Sequence, residues 1–77
     1  MKIFFEYLGL LHIEEIKNKS LLDVKKDITA AELMTQLQIR KEHQKFISVF
    51  INDKEKSRNT VLNENDKVKL FLPTGGG

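Results

Sequence analysis

The 77-residue sequence predicts one small α+β domain, a mixed sheet of four to five strands with one main helix packed on one face. Three observations carry that expectation. Short segments rich in aromatic and β-branched residues flank a single stretch with helical apolar spacing. A helix-start signature stands immediately before that stretch. No internal repeat or linker divides the chain, so residues 1–72 read as one domain and residues 73–77 as a flexible C-terminal glycine tail.

Residues 2–8, Lys-Ile-Phe-Phe-Glu-Tyr-Leu, predict a first strand, with Gly9 as a turn or bulge near its end. After the polar bend Lys17-Asn18-Lys19-Ser20, the segment Leu21 to Val24 predicts a second strand, the other arm of a hairpin-like pair. Thr29-Ala30-Ala31-Glu32 fits a capping box, in which the Thr29 hydroxyl accepts from the Glu32 amide and the Glu32 carboxylate accepts from the Thr29 amide. A helix starts there. Ala30, Leu33, Met34 and Leu37 recur at three- and four-residue spacing, a stripe suited to one sheet face, with Met34 as core filler. The pattern fades in Gln38 to Lys45, which lacks Pro and Gly, and this places the helix end near Ile39 or Arg40.

Phe46 to Ile51 predicts a third strand, and Asn52-Asp53 tolerates the tight turn after it. Thr60-Val61-Leu62 reads as a short strand or extended piece. Asn63 to Asp66 is a turn with Asn65 suited to a left-handed backbone. In the last strand, Lys67 to Leu72, period two puts Val68, Leu70 and Leu72 on one face and Lys67, Lys69 and Phe71 on the other. Pro73 stops the ladder.

Composition narrows the function. The 13 basic and 11 acidic side chains leave a formal charge of +2, and acids interrupt the lysines throughout, so no electrostatic footprint for nucleic acid forms. Absence of cysteine excludes a disulfide framework, a thiolate zinc site and a cysteine nucleophile. The apolar runs fall short of the roughly 20 residues that span a bilayer, and no signal-peptide pattern follows Met1. The expectation is a cytoplasmic protein without a membrane partner. His12 and His43 lie far apart with no second ligand at metal-binding spacing, so no metal site is expected. Ser20, Ser48 and Ser57 lack a nucleophile-elbow context, and no glycine-rich loop joins a strand to a helix. Neither an autonomous catalytic site nor a stably bound cofactor is expected.

Two features remain. If one helix covers one sheet face, alternation turns Ile47, Val49 and Ile51 inward and leaves Phe4, Phe50 and Phe71 as candidates for an exposed aromatic cluster on the open face, a partner-binding surface if the three are neighbours. The second feature is the terminal Gly75-Gly76-Gly77, which holds three of the chain's four glycines. A carboxylate that must enter a partner's active site through a narrow channel needs residues without side chains behind it.

With those residues in view, the chain resembles the MoaD/ThiS-type ubiquitin-like sulfur carriers, and most closely the molybdopterin synthase small subunit. The specific part is the closing run from Asn65-Asp66 to Gly77. Against the family pattern of Gly-Asp, an alternating strand, Phe-Pro-Pro, two small or aliphatic residues and Gly-Gly, Asn65 stands for the turn glycine and Leu72-Pro73 for the two prolines. Thr74 and Gly75 hold the next two places, and Gly76-Gly77 the last two. The resemblance implies a ubiquitin-like β-grasp fold. It implies that Gly77 is adenylated at the expense of ATP and converted to a thiocarboxylate, and that Gly75 and Gly76 thread the partner channel. Phe4, Phe50, Phe71 and Pro73 are then the partner-binding residues. Implied partners are an E1-like adenylating enzyme, the molybdopterin synthase large subunit and a sulfur donor such as a cysteine desulfurase system, which makes this chain a non-catalytic subunit. Alternatives are a thiamine-pathway sulfur carrier, a ubiquitin-like protein modifier or tRNA-thiolation carrier, and, in a different class, a plain β-grasp interaction module.

Overall fold

The aromatic and β-branched segment that opens the sequence is realised as strand β1, Lys2–Gly9, in a computed structural model that describes residues 1–9, 11 and 18–73. The histidine at position 12 and residues 74–77, with Thr74, Gly75, Gly76 and Gly77, lie outside the described residues. Strand β2, Ser20–Asp23, pairs antiparallel to β1, with Ile3 opposite Leu22 and Phe4 opposite Leu21. The pairing is prolonged by a side chain: the Asn18 Oδ1 accepts from the Tyr7 amide at 2.8 Å and its Nδ2 donates to the Tyr7 carbonyl at 2.9 Å. A side-chain amide thus stands in for one more residue of backbone ladder.

Helix α1, Ala30–Gln36, begins at the predicted box: the Glu32 amide donates to Thr29 Oγ1 at 3.1 Å and the Thr29 amide to Glu32 Oε1 at 2.9 Å. The amides of Ala30 and Ala31 donate to the carbonyls of Thr60 and Arg58, so the first turn is satisfied by the returning chain as well as by its cap. A helix this short is marginal alone, and burial of Ala30, Leu33 and Met34 against the sheet holds it. It ends earlier than the sequence predicts. Gln38 adopts φ +65, its amide donates to Thr35 O, and the Ile39 amide donates to Met34 O. That pair of bonds closes a Schellman turn without the glycine that usually announces one.

The polar stretch that follows forms a second helix, α2, Lys41–Gln44, which the sequence pattern does not show. Buried Gln44 fastens it by donating to Ile39 O at 2.7 Å and Thr35 Oγ1 at 3.2 Å. Strand β3, Ser48–Ile51, starts two residues later than predicted. Asn52 and Asp53 take φ +54 and +70, the paired left-handed conformation of a two-residue hairpin turn. The turn leads into a further unpredicted strand, β4, Lys54–Lys56. Thr60 to Leu62 is extended, with one bridge between Thr29 and Val61. Asn65 takes the expected left-handed φ of +67, and β5 spans Lys67–Leu72 as predicted.

The five-stranded sheet has the order β2-β1-β5-β3-β4, with β1 and β5 parallel at its centre and the other pairs antiparallel. Ile3, Phe5, Val49, Ile51, Val68 and Leu70 point to the helical side and are buried with Leu33, Met34 and Leu62. Val49, Ile51, Val68 and Leu70 face inward as predicted, as does Ile47 just before β3, whereas Leu72 is only partly buried, as is Tyr7 of β1. Among the described residues, no helix lies on the other face of the sheet.

At the base of β5, Asp66 is buried and accepts at both oxygens, from Asn52 Nδ2 at 3.0 Å and from the Asn63 amide at 2.8 Å. Asn52 Oδ1 accepts in turn from the Lys67 amide at 3.0 Å, locking the β3–β4 turn to the start of the last strand.

Candidate functional site

Strand register decides which side chains meet on the open face. At the end where β5 finishes, Leu8 of β1 lies opposite Phe71, which in turn lies opposite Ser48 of β3. One tier further in, Glu6 lies opposite Lys69, Lys69 opposite Phe50, and Phe50 opposite Glu55. At the far end Leu21 of β2 lies opposite Phe4, and Phe4 opposite Lys67.

These pairings correct the predicted aromatic cluster. Phe50 is the diagonal neighbour of Phe71, about 7–8 Å away and within reach of an aromatic ring. Phe4 instead stands four residues along the sheet from the level of Phe71, about 13 Å at the rise of a strand. It shares its end with Leu21; the two are 49% and 58% exposed. The open face therefore carries two apolar patches, Leu8 with Phe71 and Phe50, and Phe4 with Leu21, with Glu6 and Lys69 between them. Aromatic identity alone pointed to Phe4, whereas Leu8 and Leu21 are the residues that the register adds. Phe71 and Phe50 are half-buried, in keeping with rings lying along the sheet surface.

The Leu8–Phe71 patch sits where the chain leaves the sheet. Gly9, the last residue of β1, is opposite Leu72, the last of β5. Its φ of +79 is a left-handed conformation that glycine adopts without strain. Pro73 follows, exposed and without an amide to donate, so the ladder stops.

Nothing on the described residues resembles a catalytic centre. His43 is exposed on α2, and the described residues hold no group of three or more His, Cys, Asp or Glu placed to bind a metal. The Ser57 hydroxyl accepts from the Asn59 amide in a local turn. The Glu32 carboxyl is held below its ordinary range by the backbone and side chain of Thr29, with a smaller contribution from Lys25. It belongs to the helix cap. Among the described residues no helix is long and apolar enough to cross a membrane.

Comparison with known proteins bears on this arrangement. The family model of the ThiS family matches residues 11–77. No curated protein matches by sequence. Among solved structures, SAMP1 from Haloferax volcanii is similar with a TM-score of 0.67 at 15% identity, over 100% of both chains. A putative molybdopterin converting factor subunit 1 from Pyrococcus furiosus gives 0.69 at 15% identity, over 95% of this chain and 98% of that one. The complex of subunits 1 and 2 of the molybdopterin-converting factor from Helicobacter pylori gives 0.62 at 23% identity, over 100% of both. At these identities the structural likeness shows the fold, a ubiquitin-like β-grasp.

Proposed function

Because this chain belongs to the ThiS family, small sulfur carriers that are not themselves catalysts, we propose that its C-terminal carboxylate is the group on which sulfur travels. The observation that carries the reading is the join between site and tail: the apolar patch of Leu8 and Phe71 stands beside the point where β5 runs into Pro73 and the final glycines. Docking through that patch brings a partner's active site to the terminus, and Gly75, Gly76 and Gly77 carry no side chain to obstruct a narrow channel.

The chemistry needs two steps because a carboxylate is a poor acyl electrophile. In the adenylating partner, a Gly77 carboxylate oxygen attacks the α-phosphorus of ATP and pyrophosphate leaves, giving an acyl adenylate. Hydrosulfide then attacks the acyl carbon, AMP leaves with the former carboxylate oxygen, and one proton is released, giving the thiocarboxylate. A persulfide donor, such as a cysteine desulfurase system supplies, forms an acyl disulfide that a thiol must reduce by two electrons. The thiocarboxylate is a soft nucleophile at neutral pH. This chain contributes the acyl terminus and the docking surface, and Pro73 keeps the tail from continuing the sheet.

Within this class we assign the chain to molybdopterin formation, as the small subunit that delivers sulfur to a pterin precursor in the active site of a large subunit. The similarity to converting-factor subunit 1, in one case in complex with subunit 2, supports that branch. The test is intact mass after incubation with an E1-like adenylating enzyme, ATP and a sulfide donor. The full chain gains the mass of sulfur in place of oxygen, and a chain lacking Gly77 stays folded and unloaded. Undiminished loading of the truncated chain refutes the mechanism. Failure of the loaded carrier to bind and turn over with the synthase large subunit refutes the branch alone.

A further inference from the structure

The geometry points to Gly9 as a positioning residue that sets the docking ring and the tail relative to each other, an inference that rests on the carrier function proposed above. Gly9 is the one glycine outside the terminal run. It closes β1 against the last residue of β5 with φ +79, where a side chain strains the backbone by about 1–2 kcal/mol. The space is also taken. A Cβ at position 9 would collide with the carbonyl oxygen of Leu72, and would lie 2.9 Å from the carbonyl carbon and 3.1 Å from Cε1 of Phe71.

The atoms in the way make the position functional. A flexible side chain could rotate aside, but a backbone carbonyl moves only if the end of β5 moves. Leu72 is the residue from which Pro73 and the tail depart, and Phe71 is the aromatic side chain of the docking patch. Bare backbone at position 9 therefore fixes both the seat of the ring and the point at which the chain leaves Leu72 for Pro73. A carrier needs these two in register, because the partner grips the body and reacts with a terminus several residues away. Misplacement of a reacting group by about 1 Å costs about 100-fold in rate. A merely structural glycine would instead lower stability and leave the folded protein loading normally.

The experiment compares Gly9→Ala with a synthetic chain carrying D-alanine at position 9, which accepts positive φ and directs its methyl away from the Leu72 carbonyl. Amide NMR of each isolated protein reports the position of Phe71 and Leu72 against α1 and β3. Initial rates of ATP-dependent sulfur loading, at temperatures well below unfolding, report function as kcat and KM for the carrier. Gly9→Ala should shift the Phe71 and Leu72 resonances, leave α1 and β3 in place, and lower kcat/KM about 10- to 100-fold. The D-alanine protein should load within about threefold of wild type. Wild-type loading by folded Gly9→Ala, or equal impairment of the D-alanine protein, overturns the proposal. If Gly9→Ala does not fold, Gly9→Asn takes its place, because asparagine tolerates positive φ while still setting a Cβ against the Leu72 carbonyl, and its kcat/KM decides in the same sense. If the wild-type chain takes no sulfur, the carrier reading fails, while the resonance shifts still decide whether Gly9 positions the end of β5.

Discussion

Removing the carboxylate of Asp66 by Asp66→Ala should cost about 3 kcal/mol of stability. Both oxygens are occupied, one by the Asn63 amide and one by Asn52 Nδ2, and the side chain is 8% exposed. Hydrogen bonds to a charged group contribute about 1.5–3 kcal/mol each. Asn52 and Asn63 are themselves exposed, so water replaces part of what each donor loses, and the lower end of that range applies twice. For a chain of this size, total stability of about 0.05–0.15 kcal/mol per residue gives about 4–12 kcal/mol, so the loss is a large fraction. Urea titration at neutral pH measures it, and thermal melts should fall by about 12–24 °C. Asp66→Asn keeps one acceptor oxygen and should lose about half as much. Asn52→Gly preserves the left-handed backbone while removing the side chain, so a double-mutant cycle with Asp66→Ala isolates the contact and should give about 1 kcal/mol of coupling. A loss below about 1 kcal/mol for Asp66→Ala, or additivity within about 0.5 kcal/mol, would refute the argument. Loading of the folded fraction should be unaffected, since the network lies at the opposite end of β5 from the tail.

The helix cap gives a pH prediction. The Glu32 carboxyl is held below its ordinary value of 4.5, so its contribution is complete above that pH and is lost as pH falls through the lowered folded value. Glu32→Gln should flatten the acid limb of a stability-against-pH curve, and an unchanged limb would show that the cap does not titrate there. Asn18→Ala removes both bonds to Tyr7 and should cost about 1–2 kcal/mol, with faster hydrogen exchange at the Tyr7 amide; unchanged exchange there contradicts the side-chain ladder. For docking, Phe71→Ser should weaken binding to the adenylating partner by about 2 kcal/mol, roughly 30-fold, and Phe4→Ser by less, because Phe4 stands about 13 Å further from the tail. Isothermal titration that ranks them the other way would move the docking centre to the Phe4–Leu21 patch.

Local chemistry was legible where it is complete within a few residues. The Thr29–Glu32 box, the Asn52-Asp53 turn, the left-handed Asn65 and the alternation of β5 each follow from residues acting within their own segment. What the sequence hides depends on distant partners. Helix α1 ends at a left-handed Gln38 because Ile39 and Met34 close the turn, and no glycine marks it. Strand β4 reads Lys-Glu-Lys and has no apolar alternation; its backbone pairing with β3 makes it a strand. The separation of Phe4 from Phe71 needs the parallel register of β1 on β5, which joins residues more than sixty positions apart. Gly9 reads in the sequence only as a turn or bulge, since the carbonyl that it admits belongs to the other end of the chain.

The charged tier of Glu6 and Lys69 across the open face has a consequence for traffic. A carrier must live unaccompanied between its loader and its acceptor, and a continuous greasy face would drive copies of it together. The charged tier splits that face into two separate islands, and smaller apolar patches favour self-association less than one continuous patch does. On the proposed carrier function it would also limit how long a host retains the chain, because polar groups in mid-interface must be desolvated and re-paired at each meeting. Turnover of a shared shuttle depends on departure as much as on arrival, and dissociation is where related complexes differ most. On the carrier function proposed above, the charged row would therefore favour departure, letting one small protein serve successive hosts.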